Sequence, residues 1–206
     1  MRTPSPIAPS LDEIQKAHHL IRPFIHRTPV LSCQSINRIV DAEIWFKCEN
    51  FQKVGAFKAR GATNAVRSLD LRLLHRGVAT HSSGNHAQAL SWASSLAGAK
   101  AYIVMPSNSS RVKIEAVKGY GGEITFCEPT LEARETTLAK VIRRTGAIEI
   151  HPYDNLKIIA GQATATVELL EERDNLEIVM APVGGGGLLS GTVLACHYLV
   201  PEVRVI

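Results

Sequence analysis

The chain has 206 residues, 45% of them hydrophobic and 20% charged, enough to bury a large core in one ordinary domain or two small ones. Its formal charge of +4 is scattered along the sequence, which favours a small anionic ligand and argues against a nucleic-acid partner. No early apolar stretch resembles a signal peptide and no run approaches the roughly 20 apolar residues that cross a bilayer, so no membrane partner is expected and the expected compartment is cytoplasmic.

The first ten residues, rich in Pro and Ser, read as a loose arm. Ser10 then caps a helix expected to run to about Arg22, with Asp12 and Glu13 well placed in its first turn. Thr28-Pro29-Val30-Leu31 breaks the helical period, and residues 43–49 (EIWFKCE) alternate enough for a strand. A glycine-bearing loop leads into a helix over residues 58–68. From Gly77 onward, strands over 77–81, 101–105, 123–127 and 147–150 alternate with helices over 87–97, 110–118 and 131–144. That rhythm predicts a parallel sheet of about four strands. A helix over 160–173 follows, then an apolar strand over 177–183, four glycines, and a further helix from Leu188. Residues 203–206 read as a strand just starting, so the chain is expected to stop within an element, as a truncated or partial product does. Cys33, Cys48, Cys127 and Cys196 form no C-x-x-C pair, so free thiols are expected and a zinc knuckle is not.

Three segments carry chemistry. In Val54-Gly55-Ala56-Phe57-Lys58-Ala59-Arg60-Gly61-Ala62 a lysine stands among small and apolar residues where a loop meets a helix. Burial there lowers an amine's pKa, as an imine-forming lysine requires; taken alone, the segment also reads as a surface lysine at a helix start. Thr80-His81-Ser82-Ser83-Gly84-Asn85-His86-Ala87 gathers hydroxyls, an amide and free N–H groups where a strand passes into a helix, a setting that attracts carboxylates. A plain cap needs one such residue, and this loop holds several. Val183-Gly184-Gly185-Gly186-Gly187-Leu188 lets the backbone approach a phosphate. The G-x-G-x-x-G fingerprint fails, because Leu189 or Ser190 stands where its last glycine belongs, and no lysine follows for a Walker motif.

A reactive lysine, a carboxylate loop and a phosphate loop together describe an aldehyde cofactor with a phosphate tail, and pyridoxal 5'-phosphate fits all three. Through HRTPVL, GAFKARGA, THSSGNHAQAL, AYIVMP, HPYD, AGQ and PVGGGG, from Ile14 to Ile206, the chain resembles the fold-type II pyridoxal-phosphate enzymes. Within them it is most similar to the serine racemase and serine/threonine dehydratase group, especially its plant-like members. The resemblance implies an α/β fold like that of the tryptophan synthase beta subunit, with two open sheets of parallel type and an incomplete large domain. It also implies a large domain from residues 1–76 and 153–206, with a small α/β domain inserted over residues 77–152.

By the same resemblance, Lys58 binds the cofactor covalently and acts as base, Phe57 packs near the ring, and Asn85 meets the phenolic oxygen. Gly184, Gly185, Gly186, Gly187 and Leu188 hold the phosphate, and Ser82, Ser83, Asn85 and His86 receive the substrate carboxylate. Ser83 matches the second acid/base of racemases, although dehydratases also place a serine there. Arg134 matches an arginine near the substrate, although a helical arginine also reads as solvated. His18, His19, His75 and His151 show no ligand spacing.

The implied substrates are serine and threonine, with D-serine, or pyruvate and ammonia, as products from L-serine. The full-length family implies a homodimer and a divalent metal, magnesium. The metal site, the group facing the pyridine nitrogen and the last sheet strands would follow Val203, so this polypeptide alone is expected to hold cofactor weakly and to contain no metal ligands. Alternatives are an impaired homologue acting as a binding or regulatory remnant, a threonine dehydratase without racemase activity and, more distantly, a Rossmann-type nucleotide binder.

Overall fold

The computed structural model describes residues 8–206, so residues 1–7 of the expected arm lie outside the described residues. Helix α1 (Leu11–Ile21) opens with a full capping box, in which the Ser10 side chain accepts from the Glu13 N–H and the Glu13 side chain reaches back to the Ser10 N–H. Its buried face, Ile14, Ala17 and Ile21, follows the helical period. Strands β1 (Val30–Ser32) and β2 (Trp45–Lys47) pair antiparallel around helix α2 (Gln34–Val40), an element that the sequence pattern did not signal. The strand expected over 43–49 is shorter because Glu49 already starts a 3-10 turn, Glu49–Phe51. A second such turn, Lys53–Gly55, delivers the chain to α3 (Lys58–Arg67), after which α4 (Leu71–Leu74) leads to the sheet.

The central sheet has strand order β5-β4-β3-β6 and is parallel throughout, from β3 (Val78–His81), β4 (Ala101–Pro106), β5 (Glu123–Cys127) and β6 (Ile148–Glu149). Helices α5 (Asn85–Leu96), α6 (Arg111–Gly119) and α7 (Leu131–Thr145) make the crossovers. Alternate strand residues serve opposite layers: Val78, Ile103 and Met105 pack with Ala87, Ala89 and Leu90 of α5, whereas Ala79 and Val104 pack with Leu138 and Val141 of α7. The chain therefore runs outward through β4 and β5 and returns to place β6 on the other side of β3. This reversal is the topological switch point, where open α/β sheets leave a crevice beyond the strand ends.

Helix α8 (Leu156–Glu172) begins four residues earlier than expected, because the Asn155 side chain caps it by accepting from the Lys157 and Ile158 N–H groups. It crosses α3 almost backbone to backbone: a Cβ on Gly161 would lie 2.6 Å from the Gly61 Cα. Within the stretch 177–183 the strand is β7 (Ile178–Val179), paired parallel with β8 (Arg204–Val205). Helix α9 (Gly187–Leu199) joins them and packs on α8, where a Cβ on Gly191 would lie 2.6 Å from the Ala163 nitrogen. Among the described residues no helix is long and apolar enough to cross a membrane.

Candidate active site

Lys58 is the first residue of α3, which starts without a side-chain cap. It is half-buried, and its Nζ donates to the Pro152 carbonyl at 2.7 Å and lies 5.3 Å from the centre of the Phe57 ring. Burial pushes its pKa below that of an ordinary lysine, because desolvation disfavours the ammonium form. The approach to it is strained: Val54 has φ of 56°, a left-handed conformation that a β-branched residue seldom adopts.

The loop after β3 forms the second wall. Its Ser82 N–H donates to the Val104 carbonyl at 3.0 Å and the Gly84 N–H to the Ser82 hydroxyl at 3.2 Å. Gly84 caps α5 without a side chain, so the N–H groups of the first turn, from Asn85 onward, have no cap. Ser83 is half-buried and Asn85 exposed. His86 turns inward: its Nε2 lies 3.2 Å from the Ile150 carbonyl and its Nδ1 is buried without a partner. Burial first, then the nearby Lys58 charge, depresses its pKa to about 3 against the Ile150 hydrogen bond, so the ring is neutral. Facing the loop from α6, the Lys113 Nζ lies 3.4 Å from where a Gly84 Cβ would stand.

The glycine loop forms the third wall. Gly186 has φ of 88°, and a Cβ at Gly184 would meet nothing within 4 Å. Helix α9 follows with no side-chain cap, leaving its first N–H groups without a side-chain partner. Leu188, in this first turn, is half-buried. The Tyr153 ring lies directly on Gly185, where a Cβ would fall 2.0 Å from it, and the Tyr153 Cβ and main chain lie beside Gly187.

Residues 150–154, to which the sequence assigned no role, thus link the walls: Ile150 to His86, Pro152 to Lys58, and Tyr153 to the glycine loop. Their only trace in the sequence is the HPYD string after a short strand. Arg134 stands further off, on α7; its Nε is shielded without a partner, and its charge is one of several that act on His81. Also unforeseen is a buried ion cluster behind Lys58, in which the fully buried Arg60 grips both Glu49 and Glu168, while Lys47 meets Glu168. Charges embedded in apolar or small-residue runs (EIWFKCE, KARGA, ATVELL) were the available signal.

A model of the family described as pyridoxal-phosphate dependent enzymes matches residues 21–206. The chain belongs to that family. The serine racemase of Dictyostelium discoideum is 50% identical over 95% of this chain and 60% of its own length. The beta-hydroxyaspartate dehydratase of Paracoccus denitrificans is 50% identical over 96% of this chain and 63% of its own length. Among solved structures, maize serine racemase superposes with a TM-score of 0.95 at 44% identity, covering 96% of this chain and 60% of its own. The fold is therefore the fold-type II α/β fold, and the chain spans about three-fifths of the length of these relatives.

The residues present fit pyridoxal phosphate, the cofactor of this family. An imine needs an uncharged amine, and Lys58 is the lysine whose amine burial disfavours as a cation. A phosphate needs space and N–H donors, and α9 offers both beside Gly184. For the expected divalent metal, no group of three or more His, Cys, Asp or Glu among the described residues could hold an ion.

Proposed function

We propose that the protein is a serine racemase with serine and threonine dehydratase activity, forming D-serine, or pyruvate and ammonia, from L-serine. The observation that carries this reading is the setting of Lys58, half-buried and held at 2.7 Å by the Pro152 carbonyl between two uncapped helix starts. Similarity to serine racemases supports the same reading.

In this mechanism the α9 N–H groups, with Gly184 to Gly187 and Leu188, would hold the phosphate, Phe57 would lie near the ring, and Asn85 would donate to its phenolic oxygen. Bound pyridoxal phosphate supplies an aldehyde for the substrate amine and a sink for the electron pair left at the α-carbon. The uncapped start of α5, with Ser82, Ser83, Asn85 and His86, receives the substrate carboxylate, and Arg134 adds positive charge nearby. The Lys58 amine would take the α-proton. Return of a proton from Ser83 on the opposite face inverts the centre; departure of the β-hydroxyl leaves an enamine that hydrolyses to the keto acid and ammonia.

Residues 77–152 are assigned to a small domain inserted into a large one built from residues 1–76 and 153–206. Support comes from the central sheet, whose strands all lie between Val78 and Glu149. Homodimeric assembly rests on the sequence resemblance alone, and a cytoplasmic location on the sequence reading that found no signal-like stretch.

A second reading, dehydration of a β-carboxylated hydroxy-amino acid, is favoured by Lys113, whose ammonium faces the carboxylate loop at Gly84. The Paracoccus relative is named for such a reaction. Borohydride reduction in excess pyridoxal phosphate should label Lys58, and labelling elsewhere overturns the site. With L-serine, Ser83→Ala should abolish D-serine and spare pyruvate; D-serine formation that survives it removes Ser83 from the mechanism. Preference for β-hydroxyaspartate over serine, lost in Lys113→Met, would establish the second reading.

A further inference from the structure

Residues 150–154 touch every wall of the site, yet they form no regular element. Their ends are fixed: the Ile150 N–H donates to the Ala79 carbonyl at 2.8 Å, and Asn155 caps α8. Between these anchors Pro152 has a ring-locked φ and no N–H, so the freedom that remains lies in the His151 backbone, narrowed by the proline after it, the Pro152 ψ and the Tyr153 and Asp154 backbone. The His151 ring restricts that freedom. Its Nδ1 accepts from the Asp154 N–H at 2.8 Å and lies 3.4 Å from the Tyr153 N–H, closing a turn as an Asx side chain does. Both contacts require an unprotonated Nδ1, so the proton sits on Nε2. The ring also meets Tyr153 edge-on at 4.5 Å and His81 at 6.3 Å.

We propose that His151 is a positioning residue: by accepting the Asp154 N–H on Nδ1, it closes the turn that aims the Pro152 carbonyl at Lys58 and lays Tyr153 across the glycine loop. The positioning role rests on the reading of Lys58 as the cofactor lysine; the turn itself does not. Replacements separate acceptor from filler. His151→Asn keeps a short acceptor for the same N–H groups but fills less space, whereas His151→Leu fills more space and accepts nothing. A packing role therefore ranks leucine above asparagine, and an acceptor role ranks them the other way.

Two measurements on the purified protein decide it. The first is hydrogen exchange of the Asp154 amide without cofactor, and the second is the pyridoxal phosphate concentration giving half-maximal borohydride trapping at Lys58. His151→Leu should raise both the exchange rate and that concentration about tenfold, as loss of one or two neutral hydrogen bonds implies. His151→Asn should return both to within about threefold of the parent. Should the leucine protein not fold, His151→Met, which also fills more space than asparagine and offers no comparable acceptor, takes its place. Asparagine behaving no better than leucine in the exchange arm overturns the turn, and trapping that is unchanged while exchange rises overturns the positioning role. A parent protein that never labels Lys58 sinks the cofactor reading and with it the positioning role, while exchange still judges the turn.

Discussion

Replacing Arg60 with leucine tests how the lysine helix is anchored. Arg60 is fully buried, and its guanidinium makes four hydrogen bonds of 2.8 Å, two to Glu49 and two to Glu168, besides one of 3.1 Å to Thr164. With Lys47 at 2.8 Å from Glu168, two cations face two carboxylates. Arg60→Leu leaves one cation for two shielded carboxylates, and breaking such a buried set costs about 3–5 kcal/mol, a large part of a typical domain's stability. The sign with pH follows from Glu168. Burial raises its pKa, but hydrogen bonds and charge from Arg60 and Lys47 outweigh burial and hold it below the usual carboxylate value. Its stabilisation is present above that usual value and is lost as pH falls through the folded one. In the variant burial dominates, Glu168 takes up a proton more readily than in the unfolded chain, and stability is regained towards acid. Urea unfolding at several pH values should show a deficit of about 3–5 kcal/mol near pH 7 that narrows towards about pH 5. A deficit below about 1 kcal/mol, or one that widens in acid, would show that the ion cluster does not anchor α3 in this way.

Two further outcomes concern glycine and histidine. Gly161→Ala forces a methyl within 2.6 Å of the Gly61 Cα, so it should cost about 1–3 kcal/mol or more, whereas Gly184→Ala, with nothing within 4 Å, should change stability by under about 0.5 kcal/mol and yet weaken phosphate binding. Thermal melts with and without pyridoxal phosphate would separate these effects, and equal melting losses would contradict them. Burial holds His86 neutral to about pH 3, so the unfolded chain takes up its proton first, and stability falls with pH between about 6.5 and 3 by up to about 1.4 kcal/mol per unit. Unfolding of His86→Asn should lose about one proton of that slope; an unchanged slope would show that the ring is not buried as described.

Much of the site was legible in the residues because its parts are local. A helix start needs its N–H groups left free, a phosphate loop needs glycine, and an imine lysine needs small neighbours, all within a few residues of sequence; hence the loops around Lys58, Ser83 and Gly184 stood out. The elements bearing them were equally readable where the 2.0 and 3.6 residue periods were strong, as in β3, β4 and α7. Where a cap rather than an apolar period sets the limit, the pattern failed: α8 starts at its Asn155 cap rather than at its first apolar run.

Sequence alone thus supplied the candidate loops, the alternation of strands and helices and the family resemblance. It could not determine strand order, since parallel strands pair across whole crossovers and no local pattern records which neighbour each one takes. Only the folded chain sets β6 beside β3, and this adjacency carries residues 150–154 under the Ser82 to His86 loop and against Lys58. The same long-range packing buries Glu49, Arg60 and Glu168 together from three separate segments. Side chains so far apart in sequence acquire their partners, and Lys58 its depressed pKa, only when the core between them closes and excludes water.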